Sequence, residues 1–344
     1  MNVRFGIIGL GRISNRFAAV LNTVEDVELT AVASSDVAKA VEFAKKHNAA
    51  KASKSYLELV EDKDVDVVYI GLTHNFHYDI IKLCLNHGKG VLCEKPMVLH
   101  KRDAQELSAL AEEKNLLLME AMWSRFTPAF IKAKEWTSEG RIGQIKLINA
   151  SFCFNVPFDP SNRLYNPALA GGSLYDAGVY PIEFTTGILG ENPCQVRGFA
   201  SICETGVDDF AAFNMSFESG ALASLSCGVT AVTNRDACIY GTTGRIIVYD
   251  FLGAKKCDLL DNDNHLIERF ETDFEDGFIF QIKHFTELYR NNKKQSDIMP
   301  MKDTIACAGI FDELTNLFHA QGLLPPADAD KTFQTRNDHS GCNI

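Results

Sequence analysis

Lys95 is the residue of this chain best placed, on sequence alone, to do chemistry. It stands in Cys93-Glu94-Lys95-Pro96, directly after the apolar strand pattern Val91-Leu92-Cys93. The carboxyl end of a parallel strand is where ligands bind in open α/β sheets. An ammonium there can stabilise the alkoxide that develops when a hydroxyl-bearing carbon loses a hydride, or lower the pKa of a neighbouring acid. The plainer alternative is a surface lysine beside a turn proline. Asp176 and Tyr180 form a second candidate pair: at a spacing of i, i+4 they share one face if their helix is continuous. Pro181 makes that conditional, because a proline deep in a helix breaks a hydrogen bond, so the segment kinks or begins near Gly178. Asp176 also suits a helix-start cap.

Hydride chemistry needs a carrier, and the N-terminus offers it a seat. The apolar run Val3 to Ile8 leads into Gly9-Leu10-Gly11-Arg12-Ile13-Ser14 and then into a helical pattern through Phe17, Val20 and Leu21. Gly9 permits a sharp turn, Gly11 lets the backbone approach a pyrophosphate, and the free N–H groups at Arg12 and Ile13 meet the anion. Ser14 replaces the third glycine of the usual pattern yet is small enough for close helix–strand packing. A bare Gly-x-Gly is a weak signal. Here a second strand pattern, Val27 to Ala33, follows at the expected distance and strengthens it.

The elements that must position these residues alternate over the first third of the chain. Helical stretches at 37–47, 56–60, 77–86 and 101–114 interleave with strand runs at 65–70, 91–93 and 116–120. This predicts an α/β Rossmann domain with a parallel sheet, residues 1–122. After Gly143 the runs 145–154, 195–203, 209–217, 221–229, 237–240 and 245–250 are short and strand-like. They predict an α+β C-terminal domain with a large, mainly antiparallel sheet over 123–330, with helices at 278–289 and 301–321 and a polar tail at 331–344. At 344 residues there is material for two cores. The net charge of -11 disfavours nucleic acid and anionic membranes as partners and points to a small molecule. Ten cysteines occur without a C-x-x-C pair or metal spacing, which predicts free thiols, no metal site and a cytoplasmic protein.

Taken jointly, Gly9-Leu10-Gly11, Thr73-His74-Asn75-Phe76-His77, Glu94-Lys95-Pro96, Glu120 to Phe126, Gly171 to Tyr180 and Ser296 to Pro300 carry a resemblance. The sequence resembles the glucose-fructose oxidoreductase, inositol dehydrogenase and rhizopine catabolism (Gfo/Idh/MocA) family, and within it the branch of dimeric dihydrodiol dehydrogenase and NADP-linked xylose dehydrogenase. The resemblance implies a hydride-transferring oxidoreductase acting on a sugar, polyol or cyclic diol, a cis Lys95-Pro96 bond, and Tyr180 as proton donor or acceptor beside Lys95. Much of the wider family has histidine where this chain has Tyr180. It also implies that Thr73, His74, Asn75 and His77 run along the cofactor with Glu94, Lys95 and Pro96, although His74 stands where the family has proline. Arg163 is implied as a ligand contact. Trp123, Arg125 and Phe126 are expected to line the interdomain cleft, with Arg125 on the cofactor amide or a phosphate and Trp123 and Phe126 on the substrate, or else to form interdomain core. His77 contacts substrate or opens its helix.

An acid at the end of the second strand would bind the adenosine ribose and repel a 2′-phosphate. The chain has Ser34-Ser35 there, with Asp36 displaced and Lys39 nearby, which favours NADP unless a loop shift brings Asp36 inward. Two rival functions stay open: a non-catalytic dinucleotide sensor and an imine or enone reductase. The large sheet is expected to pair with a second subunit, as a homodimer or a dimer of dimers.

Overall fold

The computed structural model describes residues 2–324, so the expected polar tail at 331–344 lies outside the described residues. Strands β1 (Val3–Ile8), β2 (Val27–Ala33), β3 (Lys51–Ser53), β4 (Val67–Ile70), β5 (Gly90–Glu94) and β6 (Leu118–Ala121) form one sheet in the order 3-2-1-4-5-6, with every neighbouring pair parallel. Helices α1 (Arg12–Leu21), α2 (Val37–His47), α3 (Tyr56–Glu61), α4 (His77–Asn86) and α5 (Lys101–Glu113) make the crossovers. A parallel sheet is covered on both faces, which is why its strands read as continuous apolar runs. Phe5 and Ile7 of β1 join the core on one side and Ile8 the core on the other. On the first side Phe17 of α1 stacks on Tyr69 of β4, ring centroids 3.6 Å apart.

Past Met122 come α6 (Pro128–Ser138), β7 (Ile145–Cys153), α7 (Val179–Leu189), and strands β8 (Gln195–Ile202), β9 (Asp208–Ser216), β10 (Leu222–Gly228), β11 (Ala237–Gly241), β12 (Gly244–Tyr249), β13 (Lys256–Asp261) and β14 (Leu266–Glu271). The second sheet runs 14-13-12-11-7-10-9-8 and is antiparallel except where β7 meets β10. The sequence reading anticipated neither β13 and β14 nor the short β3. Both missed C-terminal strands lie toward the sheet edge, and β14 has almost no buried position to mark its alternation.

α6 and α7 cover one face of this sheet. The other face is open, with small side chains (Ala212, Asn214, Ser224) at its centre framed by the exposed Phe199, Leu222 and Tyr240. The last two helices, α8 (Phe278–Arg290) and α9 (Met301–Ala320), return to the first sheet, α8 packing on α1 and α9 on α5. The nine cysteines among the described residues are all free. No helix there is long and apolar enough to cross a membrane.

Candidate active site

The site lies at the carboxyl edge of the parallel sheet, where loops after β1, β4 and β5 meet the turn that precedes α7. Gly9 has φ +85°, a conformation that side chains disfavour, and this turns the chain from β1 into α1. Ser14 donates to the Gly9 carbonyl and packs against Gly71, so the serine that replaces a glycine fixes the turn from the helix side. α1 starts at Gly11 with no capping side chain and no acid in its first turn, and a Cβ at Gly11 would meet nothing within 4 Å. Free amides facing open space fit a phosphate group. Across the crevice, Thr73 donates to Asn75 at 2.8 Å, and the buried Nδ1 of His74 has no hydrogen-bond partner among the described residues. These residues fit a bound dinucleotide: backbone for its phosphates, and unspent polar groups for the rest.

Lys95 follows β5, and its peptide bond to Pro96 is cis. Its ammonium donates to the Asp176 carbonyl at 2.8 Å and to Oδ1 of the same residue at 3.3 Å, and lies 4.7 Å from the centroid of the Tyr180 ring. Arg163 donates to the same Oδ1 through both terminal nitrogens at 3.1 Å. Asp176 therefore caps nothing; it anchors two cations.

A single π-helical turn, Leu174–Gly178, precedes α7, so the helix begins beside Gly178 and Pro181 falls in its first turn, where it does no harm. That turn is held by Asp208, whose Oδ2 accepts from Ser173 Oγ and Leu174 N, both at 2.7 Å. Gly172, at φ +121°, passes close against the same carboxylate.

Electrostatics follow from burial and pairing. Burial alone would depress the Lys95 ammonium, but Asp176, Tyr180 and Glu94 outweigh it and hold the group above the ordinary lysine value. For Asp176 the burial penalty is overcome by Lys95 and Arg163, which hold it well below the ordinary carboxylate range. Tyr180 is raised by burial, with Lys95 and Trp123 pulling against that shift. At neutral pH Tyr180 therefore rests as the protonated phenol. Burial also keeps His74 neutral, well below its ordinary value despite Asp176.

Residues 3–122 match the family described as "Oxidoreductase family, NAD-binding Rossmann fold", and residues 130–247 match "GFO/IDH/MocA C-terminal domain". A trans-1,2-dihydrobenzene-1,2-diol dehydrogenase of Xenopus laevis is 34% identical over 91% of this chain and 97% of its own length. The chain belongs to the GFO/IDH/MocA oxidoreductase family. The human protein of the same name is 33% identical over 95% of this chain and 99% of its own. A 3-ketoreductase from Actinomadura kijaniata, solved with NADP and TDP-benzene, is 26% identical with a TM-score of 0.80, covering 91% of this chain and 96% of that one.

Four residues expected at the site of this GFO/IDH/MocA member are buried against other partners. His77 is fully buried: Nδ1 faces the Pro96 and Met97 carbonyls at 3.0 and 3.1 Å and Nε2 faces Leu72 O at 3.1 Å. It ties the loop after β4 to the loop after β5 and opens α4, the second of its two expected readings. Glu94 turns beneath the sheet edge, where it accepts from Tyr69 Oη at 2.6 Å, and burial pushes its pKa up to about 7. Arg125 is 1% exposed and spends its guanidinium on Glu183, Asp303, Thr186 and Ile298. Phe126 is buried against His284, the interdomain-core alternative.

Trp123 stays at the site, donating to Tyr180 Oη at 3.3 Å. Three side chains there went unnoticed in the sequence. Phe152, near the end of β7, meets the Tyr180 ring edge-on at 5.2 Å, and Phe154, just past that strand, lies tilted against Phe152 at 5.3 Å. Arg16 caps Trp123 from α1. The phenylalanines were legible only as strand residues, and Arg16 only as a polar position of an amphipathic helix.

Proposed function

We propose that this protein moves a hydride between a nicotinamide cofactor and a hydroxyl-bearing carbon of a sugar, polyol or cyclic diol, with Lys95 and Tyr180 handling charge and proton at the oxygen. The observation that carries this reading is the buried Lys95 ammonium, locked on Asp176 and set over the Tyr180 ring at the edge of the sheet whose first strand ends in the Gly9–Gly11 turn. When bound, the nicotinamide supplies or accepts the hydride. Gly9, Gly11, Arg12 and Ile13 hold its phosphates, and Thr73, His74 and Asn75 line its path. Lys95 then offsets negative charge on the substrate oxygen. Tyr180, protonated at neutral pH, gives its proton to that oxygen in reduction; in oxidation it must first release it, and Lys95 and Trp123 favour that release. Phe152, Phe154 and Trp123 offer apolar faces to a ring, and Arg163 offers hydrogen-bond donors. The relatives named for a dihydrobenzene diol and the 3-ketoreductase solved with NADP and TDP-benzene support both the ring and the oxygen chemistry.

The test is turnover of oxidised and reduced cofactor over a panel of aldoses, polyols, cyclic trans-diols and their carbonyl counterparts, with Tyr180→Phe beside wild type. Tyr180→Phe is expected to lose about 100-fold in kcat. Tight cofactor binding without turnover of any compound would replace this reading with a sensor, and activity confined to unsaturated or imine substrates would make the protein a different reductase.

NADP is the cofactor we propose. Ser34 directly follows β2, and its Oγ accepts from Asp36 N at 3.2 Å. The Asp36 carboxylate is spent as the N-cap of α2, accepting from Ala38 N at 2.9 Å and Lys39 N at 3.3 Å. No free acid therefore waits for the ribose hydroxyls, while Ser35 and Arg12 are exposed beside the site. Calorimetry should show NADPH binding at least ~10-fold more tightly than NADH, and Ser34→Asp should reverse that order. Equal affinities would mean that the adenosine ribose is read elsewhere.

The open sheet face suits a second copy of the chain, since small central residues let two sheets approach and Phe199, 73% exposed, supplies an apolar anchor. Light scattering after size exclusion should give about twice the 38.1 kDa chain mass, and Phe199→Asp should shift it toward monomer. A single monomeric species of wild type would reject the pairing.

A further inference from the structure

We infer that Arg16 is a positioning residue for Tyr180, acting through Trp123; the inference rests on the dehydrogenase reading above. Arg16 lies on α1, one turn past the helix start. Its guanidinium makes a two-point ion pair with Asp276, Nε to Oδ2 at 2.6 Å and Nη2 to Oδ1 at 2.8 Å. The same group sits 4.9 Å from the Trp123 ring centroid and 4.1 Å from that of Phe278, and the two rings are 5.6 Å apart. Backbone also hems the indole in: a Cβ at Gly277 would come within 2.8 Å of it and one at Gly253 within 3.3 Å. What remains free on Trp123 is its N–H, which donates to Tyr180 Oη at 3.3 Å.

A hydrogen bond that long weakens steeply with small rotations of the donor. The planar guanidinium, fixed by Asp276, holds the ring against such rotation, a task for which an ammonium has the wrong shape. Asp276, Arg16, Trp123 and Tyr180 thus form one contact path from the loop before α8, across the nucleotide-binding helix, to the proton donor. Arg16 and Asp276 are 39% and 25% exposed, so their ion pair adds little to stability, and the fold survives its loss. What depends on it is the electrostatics of the phenol. Lys95 and Glu94 face Tyr180 from the end of β5, Asp176 from the turn before α7, and Trp123 from the junction after β6; Lys95 and Trp123 favour the ionised phenol, and Glu94 and Asp176 oppose it. Releasing Trp123 removes one of the two favourable groups.

Arg16→Met and Asp276→Asn should each lower kcat by about 10-fold, with the NADPH dissociation constant changed less than about 3-fold. Both should move the acid limb of the alcohol-oxidation pH profile upward, because oxidation needs Tyr180 to give up its proton first. Arg16→Lys should rescue little. In a Trp123→Phe background Arg16→Met should cost less than about 2-fold more, since the path is already cut.

A readout that needs no turnover is the indole N–H resonance of 15N-labelled protein, with the fully buried Trp136 as internal reference. Tyr180→Phe and Arg16→Met should both shift the Trp123 signal and leave that of Trp136 in place. An unmoved Trp123 signal in Arg16→Met, a loss confined to cofactor affinity, or additive losses in the double variant would each overturn the inference. If wild type turns over no alcohol or carbonyl, the dehydrogenase reading fails, and the resonance shift alone then decides the coupling.

Discussion

Lys95→Met is expected to lower kcat by about 1,000-fold while the NADPH dissociation constant stays within about 3-fold of wild type. The magnitude follows from what the ammonium touches. It is buried, so its charge acts in a low-dielectric pocket, and its geometry is set in advance by Asp176, so no reorganisation is needed when the substrate oxygen becomes negative. Methionine matches the stem in length and leaves the apolar contacts in place. Losing one partner of a buried pair ordinarily costs several kcal/mol; here Arg163 still donates twice to Asp176, so the loss should be nearer ~1–2 kcal/mol.

The pH dependence of stability should show the same pairing. Asp176 has its folded-state pKa depressed, so its contribution is present above about pH 4 and is lost as pH falls through the depressed value. Lys95 is raised, so its contribution is complete below about pH 10 and is lost as pH rises through the folded value. The pair therefore stays charged across neutrality, and in Lys95→Met the acid-denaturation midpoint should move to higher pH with no new transition near 7. Arginine at position 95 should not restore turnover, because its wider head cannot occupy the same point between Asp176 and the Tyr180 ring. Retention of more than a tenth of wild-type kcat would remove Lys95 from the mechanism; an effect seen only in KM would make it a binding residue.

Much of this site was legible in the sequence because the signals were local. The Gly9–Gly11 turn, the strand leading to Lys95 and the spacing of Asp176 and Tyr180 each depend on a few adjacent residues; that Lys95, Tyr180 and Arg163 share a site was implied only by the family resemblance, and the structure brings them together with Asp176 and Trp123. The parallel sheet was equally readable, since strands buried on both faces are apolar throughout. What the sequence hid was the direction in which a polar side chain points. His77, Glu94 and Arg125 lie in motifs that border the crevice, yet each turns inward to a partner well separated in sequence: Pro96 and Met97, Tyr69, and Glu183 with Asp303. Nothing in a window of neighbouring residues announces such partners. The same holds for Arg16, whose partner Asp276 is 260 positions away. Edge strands such as β14 were missed for a different reason, since a strand with no fully buried position carries only a weak alternation.

Arg125→Met should destabilise the protein by about 3–5 kcal/mol, seen as a melting temperature lower by about 5–10 °C. The guanidinium joins three parts of the chain: the segment after β6 that carries it, α7 through Glu183 and Thr186, and α9 through Asp303. Removing it leaves two acids without their cation, Glu183 fully buried and Asp303 largely so. Glu183, which burial already pushes up to about 8 with Arg125 present, would be driven further toward the protonated form. A carboxyl whose folded-state pKa is raised binds its proton more tightly folded than unfolded, so stability falls as pH rises from the ordinary carboxylate value through the folded one. The variant should accordingly lose more at pH 8 than at pH 6. Adding Glu183→Gln should recover part of the loss and flatten that slope, because it removes the orphaned charge while keeping the volume. These outcomes separate the structural role from the one the motif first suggested. If Arg125→Met melted like wild type but bound NADPH poorly, the arginine would have to leave Glu183 and Asp303 for the cofactor, and the buried cluster would not be what holds the α7 and α9 helices to the segment after β6.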